Sequence, residues 1–151
     1  MIIRDPAPRD EGAWRRLWAG YAGFYETGLP EAVTARTWQR ILDPASPIFA
    51  RLACEEGARE EERVTGFAVC VLHEGTWVTS PICYLEDLFV DPEYRGKGIG
   101  RRLIADLVER ARDSGWSRLY WHTRAGNPAR HLYDGFTEAD DYVRYRLVFR
   151  S

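Results

Sequence analysis

The apolar residues of this chain recur with two different periods, and the two periods predict different elements. Between residues 14 and 21 they fall on one face, at the three-to-four-residue spacing of an amphipathic helix. Between residues 142 and 149 every second residue is apolar, as in a strand with one buried face. The same reasoning along the chain predicts helices over 10–24, 31–41, 98–114 and 128–134, and strands over 1–4, 48–54, 64–73, 82–90, 118–122 and 142–149.

These elements follow one another in the order β-α-α-β-β-β-α-β-α-β. Three consecutive strands in the middle favour antiparallel pairing, and the β-α-β segment after them favours one parallel crossover. The charged run 55–63 is interpreted as a solvated hairpin loop. Because no repeat, low-complexity tract or linker interrupts the order, we expect one α+β domain over 1–151. Its sheet should be mixed but mostly antiparallel, with about four flanking helices.

The segment 85–102, which reads LEDLFVDPEYRGKGIGRR, carries the strongest functional pattern. An apolar strand stops at Asp91-Pro92, a basic turn with three alternate glycines follows, and a helix begins directly after the turn. Backbone N–H groups at a helix start are unpaired and carry partial positive charge, and glycines let an anion approach them closely. The segment therefore predicts a phosphate-binding turn, and the alternative is a surface turn with exposed basic residues.

The spacing of the glycines separates this turn from two other phosphate-binding motifs. The P-loop requires Ser or Thr after its Lys, whereas Lys97 is followed by Gly98. The dinucleotide fingerprint requires G-x-G-x-x-G, whereas the three glycines of this turn give G-x-G-x-G. The turn therefore belongs to another class of phosphate site.

The turn resembles the R/Q-x-x-G-x-G/A signature of the Gcn5-related N-acetyltransferases, the GNAT family, whose loop binds the pyrophosphate of acetyl-CoA. The preceding LFVDPEY resembles the family's fourth strand and its exit turn, and the order of elements is also that of the family. The resemblance implies the acyl-CoA N-acyltransferase fold, with a sheet splayed between strands 4 and 5, and acetyl-CoA as cofactor. The cofactor-binding residues that it implies are Leu88, Phe89, Val90, Arg95, Gly96, Lys97, Gly98, Ile99, Gly100, Arg101, Asn127 and Tyr133.

Two adjacent carboxylates precede the turn in the strand YLEDLFV, which resembles a strand of polyamine- and thialysine-type acetyltransferases. A lysine-like amine has a pKa of about 10.4 and must lose a proton before it can attack a thioester. The resemblance implies Glu86 as the proton acceptor or amine-binding group, and Asp87 as a second substrate-binding carboxylate. The alternative for Glu86 is a structural ion pair with an arginine, since a charge inside an apolar strand needs a partner.

The segment NPARHLYDG resembles the family's N-x-x-A-x-x-L/F-Y segment. The resemblance implies Tyr133 as the acid near the coenzyme sulfur and Asn127 as a ligand of the pantetheine arm. A tyrosine with a pKa of about 10 suits proton donation to a thiolate. The spacing from Asn to Tyr is six residues here and seven in the family, and the alternative for Tyr133 is an amphipathic core residue.

Aromatic and acidic residues at the end of the first helix are candidates for the substrate side. Aromatic faces beside a carboxylate suit a cationic amine. W-x-x-Y-x-x-F-Y-E and W-x-T both resemble the Hpa2-like subgroup of small-molecule enzymes in the family. We therefore expect Tyr25, Glu26 and Trp121 beside the substrate, and the helical aromatics before them in the core.

The expected function is transfer of an acetyl group from acetyl-CoA to a primary amine of a small molecule, such as a polyamine, an amino acid or a related metabolite. The amine should attack directly in a ternary complex. The alternatives are acetylation of a protein lysine or N-terminus, and a non-catalytic sensor that binds acyl-CoA.

Composition narrows the partners and the compartment. The net charge of −2 argues against a nucleic-acid partner, and no apolar run approaches the ~20 residues of a membrane span. The N-terminus lacks the pattern of a signal peptide, so a cytoplasmic protein is expected. Three cysteines give neither a disulfide framework nor zinc spacing, so no metal is expected. The aromatic last strand would leave an exposed edge, which favours a homodimer.

Overall fold

The computed structural model describes residues 1–24, 28–56 and 62–150. Its helices are α1 (Glu11–Phe24), α2 (Glu31–Leu42), α3 (Ile99–Ser114) and α4 (Arg130–Asp134), and its strands are β1 (Ile2–Arg4), β2 (Ile48–Glu56), β3 (Glu62–His73), β4 (Ile82–Val90) and β5 (Arg118–Tyr120). Short 3-10 turns, Pro8–Asp10 and Pro92–Tyr94, precede α1 and follow β4. No helix in these ranges is long and apolar enough to cross a membrane.

The five strands form one mixed sheet in the order β1-β2-β3-β4-β5. The first four strands pair antiparallel, whereas β5 lies parallel to β4 because α3 carries the chain back across the sheet. The predicted α+β class, with its single parallel crossover, is confirmed. Pairing between β4 and β5 ends at Tyr84 and Tyr120, although β4 continues to Val90. The two strands therefore splay as the family resemblance implied.

The two faces of the sheet are covered by different helices. On one face α1 and α2 bury a tryptophan stack, in which the Trp14 ring lies 4.9 Å from Trp18 and 5.2 Å from Trp38, centroid to centroid. All three are core residues, and for Trp14 and Trp18 of α1 the helical spacing predicted this. On the other face α3 buries Leu103 and Leu107 against β3 and β4. Burial on both faces fixes β4 between two packed layers.

A buried ion pair connects α3 to the sheet. Arg51 of β2 donates two hydrogen bonds to Asp106, of 2.8 and 2.9 Å, and a further one of 2.6 Å to Asp5. Only small fractions of the Arg51 and Asp106 side chains reach solvent. A two-pronged guanidinium–carboxylate contact fixes orientation as well as distance, so it holds the axial position of α3.

Both ends of α3 are formed by glycines in the left-handed region. Gly98 precedes the helix with φ of 80°, and Gly115 follows it with φ of 71°. A side chain at either position would be strained, which is why glycine occurs there. The N–H of Gly115 donates to the Ala111 carbonyl and so caps the C-terminus of the helix.

The predicted last strand, 142–149, is wrong as an element of this sheet. These residues pair with none of the described strands and lie in solvent, with Tyr145 92% and Phe149 88% exposed. Their alternation is the side-chain pattern of a strand, but a strand also needs a paired backbone, and residues 142–149 lie beside none of the described strands.

Two other boundaries differ from the prediction. The ends of the charged run 55–63 belong to paired strands, because Glu55 lies opposite Arg63 and Glu56 opposite Glu62. The loop is therefore shorter than predicted, and residues 57–61 lie outside the described ranges. Strand β5 stops at Tyr120, so Trp121 and His122 follow it in the chain.

Candidate active site

The basic turn between β4 and α3 presents an open concave backbone. Gly96 and Gly98 have φ of 78° and 80°, and a Cβ at either would meet no atom within 4 Å. Arg95 and Lys97 are exposed on this turn. The Arg95 guanidinium donates to the Val90 carbonyl at 3.2 Å. Two cationic side chains and two glycine amides with open space beside them therefore lie on the same turn.

Helix α3 begins at this turn with no side chain capping its first N–H groups. Helical geometry leaves these groups without partners and gives them partial positive charge. Ile99 is buried and offers only its main chain to the turn, whereas Arg101 is exposed. Gly100 is needed for packing and not for backbone conformation, because a Cβ there would lie only 3.1 Å from the Leu132 side chain of α4.

A β-bulge interrupts β4 at Glu86. On β3, Val69 lies opposite Asp87 and Cys70 opposite Leu85, so Glu86 has no partner. The bulge ends the regular alternation of sides in β4: Leu85 belongs to the core under α3, whereas Asp87 contacts Tyr21 of α1. Bulges of this kind re-aim side chains beside functional sites.

Asp87 is a partly buried carboxyl with a shifted pKa. Burial raises its pKa to about 7, a hydrogen bond from Tyr21 opposes the rise, and the neighbouring charge of Glu86 adds to it. A carboxyl with a pKa near neutrality can accept and release a proton in the working range of most enzymes.

Glu86 itself is exposed at the bulge. Its negative charge acts on its surroundings, since it contributes to the raised pKa of Tyr84, Asp87 and Tyr120 after the larger effect of burial in each case. No arginine forms an ion pair with Glu86 among the residues described. The predicted alternative, a structural ion pair with an arginine, is therefore not formed within residues 1–24, 28–56 and 62–150.

The residues after β5 and in α4 approach each other. The Tyr133 ring packs edge-on against Trp121 at a centroid distance of 5.6 Å, and both residues are partly buried. Leu132 and Tyr133 belong to the layer under α3, together with Leu88 and Val90 of β4. The Phe89 side chain points to the opposite core, so β4 offers its main chain to this side at that residue.

Asn127 uses its side chain locally. Its amide nitrogen donates to Thr123 Oγ1, and its oxygen accepts from the Ala129 N–H, both at 2.9 Å. The residue thereby shapes the turn that leads into α4. This local bonding is consistent with the one-residue difference in its spacing from Tyr133.

A cluster of aromatic rings and histidines lies on the β4–β5 edge and was not expected from the sequence. Tyr84 and Tyr120 stack at 5.0 Å between centroids. The Tyr84 hydroxyl lies 3.2 Å from His122 Nδ1, and the Tyr120 hydroxyl lies 2.9 Å from His73 Nε2. Its only signal in the sequence was that one tyrosine lies two residues before Glu86 and another lies two residues before His122.

A cleft of about 240 Å³ adjoins the basic turn on the side of α1. Its walls include Gly20, Phe89 and Arg95, and an ion pair of 2.9 Å between Arg16 and Asp91 closes one end. A side chain at position 20 would lie 3.3 Å from the Phe89 ring. The predicted substrate residues Tyr25 and Glu26, which follow α1, lie outside the described residues.

Comparison with known proteins identifies the family to which the chain belongs. The acetyltransferase (GNAT) family matches residues 13–136. The chain belongs to the GNAT family. It is therefore an N-acetyltransferase with acetyl-CoA as its cofactor, and the predicted family is confirmed.

Relatives of this GNAT protein cover nearly the whole chain. A D-amino-acid N-acetyltransferase of Saccharomyces cerevisiae is 33% identical over 147 residues, which are 97% of this chain and 89% of the relative. A thialysine N-epsilon-acetyltransferase of Mus musculus is 32% identical over 155 residues, with 96% and 91% covered. The structure of AAC(6')-Iy in complex with a CoA-S-monomethyl-acetylneamine bisubstrate analogue has a TM-score of 0.75 at 23% identity, with 97% of both chains covered.

The residues at the turn fit the phosphates of acetyl-CoA. The two left-handed glycines leave room for an anion, and the first turn of α3 supplies N–H groups with no side-chain cap. Beyond Tyr84, the edge of β4 that faces β5 has no strand beside it among the described residues. Backbone groups of Leu88, Phe89 and Val90 on that edge are thus suited to an extended amide-bearing arm.

Proposed function

We propose that this GNAT protein acetylates a primary amine of a small molecule: a polyamine, an amino acid or a related metabolite. The observation that carries the proposal is the carboxylate pair at the β4 bulge. Glu86 is exposed and Asp87 has a pKa of about 7, and both precede the basic turn by fewer than ten residues. Relatives named for D-amino acids and thialysine, both small amines, support the same substrate class.

The donor side is assigned to the turn and the splayed strand. Acetyl-CoA supplies the thioester whose acetyl group is transferred. The N–H groups of residues 96–101 bind its phosphates, Arg95 and Lys97 provide countercharge, and the main chain of 88–90 holds the pantetheine arm. Asn127 contributes through the turn that it shapes, because both ends of its side-chain amide already have protein partners.

The amine must lose its proton before it attacks. Glu86 holds the ammonium group through its exposed carboxylate, and the proton moves to Asp87, whose pKa of about 7 makes it a better acceptor than an ordinary carboxylate. Glu86 thus binds the ammonium group and Asp87 accepts the proton, whereas the family resemblance implied Glu86 for both roles. The neutral nitrogen then attacks directly, and no acyl group is bonded to the protein.

The departing sulfur requires a proton, and we assign that proton to the Tyr133 hydroxyl. Trp121 packs edge-on against the Tyr133 ring and fixes its direction. A phenol is a suitable donor because its pKa of about 10 keeps it protonated at neutral pH and lies within about two units of the pKa of a typical thiol, near 8.5. Trp121 also offers an aromatic face to the substrate, and Tyr25 and Glu26 remain further candidates for substrate contact.

An acetylation assay with a panel of amines tests this proposal. Purified protein, acetyl-CoA and single amines are incubated, and products are identified by mass spectrometry. The panel contains a polyamine, D- and L-amino acids, a thialysine-like amine, an aminoglycoside and a lysine peptide. Acetylation of one of the small amines is the expected result. Preference for the peptide indicates a protein acetyltransferase instead, and CoA binding without product indicates a sensor.

We further propose a cytoplasmic homodimer. Cys54, Cys70 and Cys83 are buried free thiols, which suits a reducing compartment. Burial raises the pKa of Cys54 to about 11, so it remains a thiol at neutral pH. The homodimer is supported by the exposed apolar segment 142–149 at the C-terminus.

A further inference from the structure

The cleft beside α1 is lined by two arginines whose hydrogen-bonding capacity is only partly used. Arg16 of α1 donates to Asp91 at 2.9 Å and to the Val64 carbonyl at 3.2 Å. Arg95 donates through Nε to the Val90 carbonyl, and its two terminal nitrogens have no hydrogen-bond partner among the described residues. A guanidinium group has five N–H donors, so most of the donors at this cleft are available to a ligand.

The charges around this space, which we call the cationic cleft, favour an anion. Its walls include Arg16, Arg95 and Asp91. Arg63 approaches the same Asp91 oxygen as Arg16, at 3.5 Å, and lies 3.8 Å from the exposed Glu93. Three arginines therefore face two carboxylates, and the excess charge is positive. Arginines in such a setting bind a carboxylate or a phosphate through charge-assisted hydrogen bonds.

The shape of the cationic cleft suits a small anionic group. Its volume is about 240 Å³, below the roughly 300 Å³ at which sites for drug-sized ligands begin. Gly20 keeps the cleft open, because a Cβ there would lie 3.3 Å from the Phe89 ring. The Arg95 guanidinium lies over the same ring, 5.4 Å from its centroid, which places the charge at the wall of the cleft. A carboxylate and the carbon that bears it fit this space.

The cationic cleft lies next to the carboxylates that are assigned to the amine. Asp87 and Phe89 both face α1 from β4 and are two residues apart, which is about 7 Å along a strand. Tyr21 connects them, because its hydroxyl bonds to Asp87 and its ring packs edge-on against Phe89 at 5.9 Å between centroids. In an α-amino acid about 3 Å separates the nitrogen from the carboxylate oxygens. A hydrogen bond of about 2.8 Å at each end extends this reach to roughly 8–9 Å, so one α-amino acid spans both places.

We propose that the cationic cleft binds the carboxylate of the acceptor, so that the acceptor is an α-amino acid whose amine lies at Glu86 and Asp87. The inference rests on the proposed acetylation of a small amine and narrows its substrate class. Arg16 determines specificity in this arrangement, because it contacts the carboxylate and none of the reacting atoms. A polyamine has no group for the arginine donors and brings a second positive charge near them, so it is disfavoured.

Matched acceptors test the requirement for the carboxylate. The compounds are D- and L-phenylalanine, the corresponding phenylalaninamides and phenylethylamine, all of which keep the amine and the ring. The better phenylalanine isomer should exceed its amide and phenylethylamine in kcat/KM by about 10-fold or more, since the other two lack the charged group. Equal kcat/KM for all three compounds would overturn the inference and leave the acetylation of small amines intact.

Two variants change the cationic cleft itself, and Arg95 is left unchanged because it is also assigned to the coenzyme phosphates. Arg16→Gln should raise the KM for phenylalanine about 10-fold, with the KM values for phenylethylamine and acetyl-CoA within about twofold of the parent. Gly20→Ala should also raise the KM for phenylalanine, because its methyl group narrows the cleft without altering charge. Gly12→Ala is the matched control on the same helix, where a Cβ meets no atom within 4 Å. A raised KM for acetyl-CoA in Arg16→Gln would assign the cleft to the coenzyme and overturn the inference.

Binding of the reaction product gives a readout that does not depend on turnover. Calorimetry in the presence of CoA should show that N-acetylphenylalanine binds about 10-fold or more tightly than N-acetylphenylalaninamide. Neither compound has an ammonium group, so the difference reports on the cationic cleft and not on the β4 carboxylates. Equal affinities, or binding of neither compound, overturn the inference. A clear difference without acetylation of any amine would support the cleft and contradict the proposed function, so the two failures are distinguishable.

Discussion

The Tyr21 hydroxyl donates a hydrogen bond to the carboxylate of Asp87, across the contact between α1 and β4. The bulge at Glu86 makes this contact possible, because it ends the regular alternation of β4 and lets Asp87 reach α1. Burial raises the pKa of Asp87 and the Tyr21 hydrogen bond lowers it, and the balance lies at about 7. The two residues therefore set a titration in the physiological range.

Asp87→Asn is expected to lower kcat/KM by about 100-fold or more, the usual contribution of a general base. The parent enzyme should gain activity as the pH rises through about 7, because the carboxyl must be ionised to accept a proton. The variant should lack this part of the pH profile with the same amine. Unchanged CoA affinity by calorimetry is the control, and a variant that retains the parent profile excludes Asp87 as proton acceptor.

Tyr21→Phe should move the same titration to higher pH. The Tyr21 hydrogen bond stabilises the ionised carboxyl, so its removal raises the pKa of Asp87 above about 7. The measurement is the pH profile of kcat/KM, with activity recovered at high pH. A uniform loss of activity at all pH values would indicate that Tyr21 contributes only to packing.

Asp87 also makes the stability of the fold depend on pH. Its pKa is higher in the folded protein than in the unfolded chain, so its contribution is fully present below about pH 4 and is lost as the pH rises through about 7. Relative to the parent, Asp87→Asn should therefore gain roughly 1–3 kcal/mol in free energy of unfolding at pH 9 compared with pH 5. Urea unfolding at the two pH values measures it, and an equal difference at both would refute the assignment.

Tyr133→Phe should lower kcat by about 10- to 100-fold, because the acid is lost while the ring and its contact with Trp121 remain. CoA affinity should change by less than about twofold, because most of the coenzyme contacts are assigned to the glycine turn and the main chain of β4 and not to this one hydroxyl. Steady-state kinetics and calorimetry together separate the two effects. Turnover within twofold of the parent would show that the hydroxyl is not the acid.

Gly98→Glu should abolish CoA binding, since it introduces a carboxylate where the phosphates bind. The strain of a side chain at φ of 80° also lowers stability, and Gly115→Glu at φ of 71° on the other end of α3 controls for that loss. Both variants should lose stability by a similar amount, on the order of 1 kcal/mol, but only Gly98→Glu should lose CoA binding. Equal loss of binding in both variants would argue against the turn as the phosphate site.

Asp106→Ala should lower the free energy of unfolding by about 1–3 kcal/mol, because the partly buried Arg51 then loses its two-pronged contact and keeps only its hydrogen bond to Asp5. Chemical denaturation measures the change. The KM values for CoA and amine should stay within about twofold, since α3 keeps its core packing. A large change in KM at full folding would mean that the ion pair positions the turn.

Periodicity and the glycine turn were sufficient to predict most of the fold. The helices α1 to α3 and the strand β4 lie where their apolar spacing placed them, because amphipathic faces meet one core each. The segment 142–149 was predicted as a strand on the same grounds and is not one in this fold. Hydrophobic periodicity shows which side chains could share a buried face. Strand formation also requires hydrogen bonds to the backbone of another strand, which the periodicity does not reveal.

The site was predictable where residues act through the local backbone. Glycine at position 98 and at its neighbours could be predicted, because an anion beside a helix start must approach the backbone closely. The orientation of Asp87 was not predictable, because the bulge depends on a one-residue shift against β3 that no sequence pattern of β4 indicates. The contacts of Tyr84 with His122 were also missed, since they join strands that are distant in sequence.

The β-bulge also constrains how this protein can change over time. Deleting a residue of β4 on either side of the bulge would reverse the faces of the residues beyond it, whereas deleting Glu86 itself would remove the bulge and leave Asp87 facing α1. A substitution alters one side chain, whereas such a deletion moves several to the wrong face. The number of residues in this strand is therefore under stronger selection than their identity, and a library of single deletions should be depleted of active members there.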